Sequence, residues 1–293
     1  MKIFIKNNSF PYKLEKKIKE ILVKPGIYTK LTDEEIDEIK KLINKNNKLI
    51  ASNAIIRSIR SAYINERELT NVINYKKKKN KIIKEYYKNN NVFIISKKYD
   101  VSPIRIIKLL LKKHHVSNNN INKILLLVSK KKYDMIKKKY PFNINFLKNI
   151  KKVIDNDIFN TTKQDIIKEY ATKFEKKIEY SIDNIYKLKY KTEDQLKEEQ
   201  KIKYGRAILT PDIYLMSDLY INNIKINWID AKNYYGANTK IIVRNLKKQI
   251  DKYYKILGSG AIIFSLGYSS ELNNIFNNNK IILLSFNDFN SIN

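Results

Sequence analysis

The chain has 293 residues and 43% hydrophobic content, enough for two structural units with ordinary cores. Its 59 Lys and Arg against 29 Asp and Glu leave a formal charge of +30, which favours a polyanionic partner, DNA or RNA. Without cysteine there are no disulfides, zinc–thiolate sites or cysteine nucleophiles, and two adjacent histidines, His114 and His115, furnish neither a Ser/His/Asp triad nor an HExxH metalloprotease.

An A/T-rich coding sequence enriches Lys, Asn and Ile unaided. It supplies Asp and Glu just as freely, so the imbalance between the signs, more than the lysine count, points to nucleic acid. No apolar run approaches a membrane span, and Met1–Lys6 opens no signal peptide, so the expectation is a soluble intracellular protein, nuclear or cytoplasmic. The basic excess belongs to residues 1–150, where Gly26 is the only glycine. That half is expected to be an all-helical region with helix-turn-helix units, and 160–293 an α/β domain with tight turns between strands.

Thr32 and Glu35 form a capping box ahead of Ile36, Ile39, Leu42 and Ile43 at helical spacing. A second helix is expected over about 52–64, and others over 81–88 and 92–99. After a turn at Asp100-Val101, Ser102 reads as an N-cap with Pro103 at the first helical position, which is how a helix-turn-helix unit reads. In its last helix Ile104, Ile107 and Leu111 face inward, leaving Arg105, Lys108 and Lys112 as a basic outer stripe suited to a nucleic-acid groove. His114 and His115 read as C-terminal capping residues. The runs Lys76–Lys79, Lys130–Lys132 and Lys137–Lys139 are either phosphate-tracking patches or solvated turns. Residues 148–163 read as the link between the halves.

From Asp165 to Tyr186 a helix carries Ile166, Ile167, Tyr170, Phe174, Ile178 and Ile182 on its apolar side, with Glu175 and Glu179 one turn apart. Two β-rich runs then flank Asn222-Asn223, a hairpin with Asp212 at the end of one arm and Asp230-Ala231-Lys232 at the end of the other. Side chains alternate along a strand, so Asp230 and Lys232 share a face. A strict two-residue turn would put Ile213 opposite Lys232 and turn Asp212 away. The site therefore requires a three-residue loop, which pairs Asp212 with Lys232, or a bulge. Carboxylates forced together are poor core residues, but a divalent cation between them converts repulsion into binding, Mg²⁺ being the natural choice with Mn²⁺ as a substitute. A helix over 241–257 carries Gln249 and Tyr253, and buried strands are expected at 261–266 and 280–286.

Pro211-Asp212 with Asp230-Ala231-Lys232 resembles the motif of the PD-(D/E)XK, or restriction-endonuclease-like, nucleases. Thr210-Pro211-Asp212, Trp228-Ile229-Asp230-Ala231-Lys232, Gly258–Ile263 and Gly267-Tyr268 are more narrowly similar to the TPD-motif family, which includes the codanin-interacting nuclease of animals. The resemblance spans about 165–290. It implies a mixed-sheet nuclease domain preceded by helix-turn-helix units, an Mg²⁺-dependent hydrolase of DNA or RNA phosphodiesters, and a codanin-like protein partner. It implies Asp212, Asp230 and the Ala231 carbonyl as metal ligands and Lys232 as a catalytic residue. Glu175 or Glu179 completes the site, Glu175 matching better. Gln249-x-x-x-Tyr253 resembles an accessory motif in which the glutamine sits beside the site and the tyrosine packs or contacts substrate. A non-catalytic DNA-binding or adaptor protein on the same fold is the alternative.

Overall fold

The computed structural model describes residues 1–6, 8–44, 51–159, 164–276 and 281–291. The chain divides into two compact units, one of Met1–Lys19, Ile43–Ile59 and Lys168–Asn293, the other of Glu20–Leu42 and Arg60–Ile167. Composition places a single boundary between residues 150 and 160, whereas contacts place it after Ile167 and group two N-terminal stretches with the C-terminal sheet.

In chain order the elements are β1 (Lys2–Ile3), α1 (Tyr12–Leu22), α2 (Asp33–Asn44), α3 (Asn53–Thr70), α4 (Val72–Asn89), α5 (Val92–Tyr99), α6 (Pro103–Lys113), α7 (Asn118–Ser129), α8 (Tyr133–Lys137) and α9 (Ile144–Asn156). Then come α10 (Gln164–Ser181), prolonged by a π-helical turn Ile182–Tyr186, β2 (Tyr190–Thr192), α11 (Glu193–Tyr204), β3 (Ile213–Ile221) and β4 (Ile224–Lys232). The last are α12 (Lys240–Leu257), β5 (Gly260–Phe264), α13 (Ser270–Phe276), β6 (Ile281–Ser285) and α14 (Phe286–Asn290). Lys280, the first residue of the expected last strand, lies outside the described residues. Among them no helix is long and apolar enough to cross a membrane.

The second unit is helical. The expected capping box is present, Thr32 and Glu35 each donating a backbone N–H to the other's side chain, although Leu42 is exposed. Asn91 caps α5 by accepting from the N–H groups of Phe93 and Ile94, and left-handed Asp100 ends it. Ser102 and Pro103 start α6 as expected, but the Ser102 hydroxyl donates to Glu68 Oε1 at 2.7 Å, and the first-turn N–H of Ile104 goes instead to Asp157 Oδ2 at 2.7 Å. An N-cap need only supply an acceptor, and here a distant carboxylate does so.

One expectation fails in this unit, because helices from several directions cover its centre. Of the expected linker 148–163, residues 160–163 lie outside the described residues and 148–156 belong to α9, whose Leu147, Ile150, Val153 and Ile154 are buried in the same core as Ile107, Leu110 and Leu111 of α6. Along α6 Arg105 and Lys108 are half-buried and Lys112 is exposed, on the side that the apolar residues leave open. Ile106, Leu109 and Leu110 are buried along with the expected Ile104, Ile107 and Leu111, so the helix is enclosed on most of its circumference.

The first unit is a mixed α/β layer structure around a six-stranded sheet of order β1-β3-β4-β5-β6. Short β2 shares the outer edge of β3 with β1: β1 runs parallel to the Tyr220–Ile221 end and β2 antiparallel to the Ile213–Leu215 end. The first half of the sequence thus contributes a strand, β1, contrary to an all-helical expectation. β4, β5 and β6 run parallel, and helices cover both faces, as buried parallel strands require. On one face Phe174 and Ile178 of α10 pack with Ile213, Ile229, Ala261 and Ile263; Ile166, Ile167 and Tyr170, expected on the same stripe, are exposed. On the other face Leu246 and Ile250 of α12 pack with Trp228, Ile262 and Phe264.

The tightest approach in that second layer is at Gly260, whose backbone lies under the Trp228 indole, itself fixed by Nε1 donating to the Gly258 carbonyl at 2.9 Å. A Cβ at Gly260 would meet the ring at 2.2 Å. Gly260→Ala is therefore expected to destabilise the protein by about 1–3 kcal/mol, the usual cost of overpacking a filled core. Urea unfolding followed by the fluorescence of Trp228, the sole tryptophan, measures it.

Candidate functional site

The β3–β4 hairpin turns in two residues, with Ile221 opposite Ile224 and both Asn222 (φ 49°) and Asn223 (φ 65°) left-handed, the conformation of a tight hairpin turn. Asn222 also bonds the backbone of Ile5 twice, donating to its carbonyl and accepting from its N–H, which joins the chain after β1 to the turn. Carried outward strictly, this register would turn Asp212 from the site. It is not carried outward: between the pairs Leu219–Ile226 and Tyr214–Trp228, β3 uses four residues where β4 uses one. The excess of three is the odd offset that the site requires, supplied by a bulge and not by the loop. It brings Asp212, one step beyond the Ile213–Ile229 pair, opposite Asp230; the expected pairing with Lys232 is corrected accordingly. The edge partner holds the bulge open, since the Met216 N–H donates to the Lys189 carbonyl at 2.8 Å and the Ser217 hydroxyl accepts from the Lys189 N–H at 3.1 Å.

Asp230 and Lys232 share the face of β4 covered by α12, as alternation requires. Asp230 is 3% exposed. Its Oδ1 accepts from Gln249 Nε2 at 2.7 Å, while its buried Oδ2 faces the Lys232 ammonium in an ion pair and accepts no hydrogen bond of good geometry. Asp212 Oδ2 accepts the Ala231 N–H at 2.6 Å. In an extended strand the N–H and C=O of one residue point to the same edge, so the Ala231 carbonyl is directed to the side of Asp212, past the end of β3. Burial, and then the charge of Asp230, lifts the Asp212 carboxyl well above the ordinary range. Burial lifts Asp230 too, against the opposing pull of Lys232 and Gln249. At Lys232 burial works against the ammonium, but Asp230 outweighs it and the proton is held more tightly than usual.

The segment leading to Asp212 is clamped from α11, a helix that falls in what reads as an undistinguished polar stretch. Thr192 and Gln195 form a capping box at its start. The Glu193 N–H donates to the Asp212 carbonyl at 3.1 Å, and the Thr210 hydroxyl donates to Glu193 Oε1 at 3.3 Å. Gln200 donates to the Leu209 carbonyl and accepts from the N–H groups of Ile208 and Leu209. From the other side Tyr253 packs edge-on against Trp228 and donates weakly, at 3.4 Å, to the Thr210 carbonyl. Glu193 and Gln200 escape sequence reasoning; the one legible signal is the Thr192-x-x-Gln195 box, which puts an acid in a helical first turn.

Glu175 stands apart. It lies on α10, the helix of the opposite face, half-buried and without a hydrogen bond to the aspartates; burial first, then the charges of Glu193, Glu179 and Asp230, raise its carboxyl. Among the described residues no three His, Cys, Asp or Glu side chains are gathered closely enough to hold a metal ion. The donor set is thus two carboxylates with the Ala231 carbonyl, and the mutual repulsion of those carboxylates, with Asp230 Oδ2 held by the Lys232 ion pair alone, fits a hard cation that keeps most of its waters. Arg105, Lys108 and Lys112 lie in the helical unit, where all three line one cavity.

Residues 143–286, just under half of the chain, match the family model described as "Protein of unknown function TPD sequence-motif". Over 136 residues the chain is 32% identical to the uncharacterized protein L539 of Acanthamoeba polyphaga mimivirus, and the similarity covers 44% of each. The chain thus spans less than half the length of that curated relative. No solved structure matches.

If the aspartates repel as their burial implies, Asp212→Asn keeps an acceptor for the Ala231 N–H and removes one charge. It is expected to stabilise the protein at pH 7.5 in EDTA by at least about 1 kcal/mol, since each pKa unit by which burial and Asp230 raise the Asp212 carboxyl corresponds to about 1.4 kcal/mol. Urea unfolding of both proteins checks this.

Proposed function

We propose that the chain is a divalent-cation-dependent nuclease hydrolysing phosphodiester bonds in DNA, with its sheet unit of the restriction-endonuclease-like kind. The observation that carries the reading is the three-residue bulge in β3. A hairpin gains nothing in stability by bringing a second carboxylate onto a buried one, so an offset with that result is best understood as a binding device.

Asp212, Asp230 and the Ala231 carbonyl would hold the cation, Mg²⁺ or Mn²⁺. When bound, such an ion polarises a phosphate and acidifies a water. Lys232 retains its proton beside Asp230, so it serves as a fixed positive charge for the negative charge that develops on the phosphate and not as a base. Gln249 is a positioning residue: it fixes the Asp230 carboxylate through Oδ1 and so directs Oδ2 toward the ligand side. Glu193, Gln200 and Tyr253 do the same for Asp212 through the backbone of 208–212. Glu175 is the further acid whose charge reaches both aspartates, which favours it over Glu179 as an outer participant.

Full-length protein incubated with single-stranded, duplex and branched DNA and the corresponding RNAs in Mg²⁺ or Mn²⁺ tests the reading. Cleavage is expected, falling at least about 100-fold in Asp212→Ala, Asp230→Ala and Lys232→Met, and about 10-fold in Gln249→Ala. Cleavage that survives both aspartate changes, or intact substrates throughout, overturns it; cleavage confined to RNA reassigns the substrate.

A further inference from the structure

A cavity of about 590 Å³ in the helical unit lies among α4, α6 and the start of α7. Lys76 and Lys79 line it from α4, and Lys108 and Lys112 from α6. Among the described residues none of these four lysines enters an ion pair. The lining acid, Glu68, is 5% exposed and already committed, to Arg105 Nε at 2.6 Å and to the Ser102 hydroxyl. The first turn of α7, Asn118 to Asn122, adds the positive end of a 12-residue helix to the same space. The rest of the lining mixes apolar Val72, Ile104, Leu109 and Phe159 with the amides of Asn65, Asn118 and Asn122, and beside them stands Tyr75, over whose ring the Arg105 guanidinium sits at 5.4 Å.

We propose that this cleft binds single-stranded nucleic acid, an unpaired base resting on the apolar lining while flanking phosphates follow the lysines of α4 and α6. The inference rests on the nucleic-acid part of the functional reading and not on catalysis. Two features select a single strand over a duplex. The basic side chains form two facing walls and not a protruding stripe. And the volume falls in the range of about 300–1,000 Å³ typical of small-ligand pockets, so it admits a unit of nucleotide size. Basic walls around an apolar or aromatic base rest are the general means of holding single strands. Half-burial, and then the charge of Arg105, already makes the Lys108 ammonium easier to deprotonate, a cost that a bound phosphate relieves.

The test is fluorescence anisotropy with labelled 15-nucleotide deoxythymidylate and uridylate strands, a 15-base-pair duplex and a polyphosphate of matched charge, all in EDTA so that nothing is cut. The paired change Lys108→Gln with Lys112→Gln is compared with Lys13→Gln with Lys16→Gln, which removes equal charge at exposed positions outside the cleft; circular dichroism confirms that both variants fold. The cleft variant is expected to weaken single-strand binding at least about tenfold and to lower the salt slope by one to two phosphate contacts, with at most a twofold effect from the control. Polyphosphate is expected to bind more weakly than the strands. Equal losses in the two variants, or a cleft variant that weakens only the duplex or affects polyphosphate as much as the strands, overturn the proposal. Retained strand binding through the cleft without cleavage would remove the nuclease reading alone, and cleavage with no binding difference between the variants would remove the cleft alone.

Discussion

Two carboxylates lie close together, Asp230 buried and Asp212 half-buried, and most of what is unusual in the sheet unit serves to keep them there. Asp230 faces α12 by strand alternation alone. Asp212 arrives only because β3 spends three surplus residues before pairing resumes, and those residues persist because the backbone at Lys189 satisfies part of what the bulge takes from the ladder. An unsatisfied buried backbone group costs on the order of 1–3 kcal/mol, so a bulge without such an edge partner would slip back into register. The segment leading to Asp212 is then fixed by α11 through its backbone and the Thr210 hydroxyl, which leaves the Asp212 side chain to other partners.

The neutralising charge is local. Lys232 lies two residues from Asp230 on the same face and keeps its proton because Asp230 outweighs the penalty of burial. Removing one member of such a buried pair costs far more than the pair contributes, since the survivor is left uncompensated. Acid-x-lysine on a strand is therefore a charge arrangement that folds by itself, and Asp212 is the surplus charge that the fold does not need. Gln249 restrains one oxygen of Asp230 and no more, so the other oxygen stays committed only to the lysine.

Much of this is legible in the sequence where a short-range rule applies. Alternation sets Asp230 beside Lys232, paired asparagines set the turn, and helical spacing puts Gln249 and Tyr253 on one side of α12. The need for an odd offset follows from counting, yet its size and position do not, because no Gly or Pro marks residues 215–218 and the geometry is decided at Lys189, a strand away. Gln200 and the Glu193 N–H are hidden for the same reason: what they bond is backbone, which carries no sequence signature. In the helical unit, reading α6 as amphipathic registers only its strongest stripe, and the burial of Ile106 and Leu109 depends on neighbours that no local pattern reveals. The charged and amide residues of α9 similarly conceal the spacing of Leu147, Ile150 and Ile154.

The central claim is that the bulge exists to form a cation site between Asp212 and Asp230. Electron paramagnetic resonance of Mn²⁺ titrated into the full-length protein measures free ion directly and does not depend on substrate or turnover. The account predicts a saturable site in the wild type that disappears in Asp212→Asn and in Asp230→Asn and survives in Glu179→Gln. Mn²⁺ binding of equal stoichiometry and affinity in the wild type and both aspartate variants would contradict it.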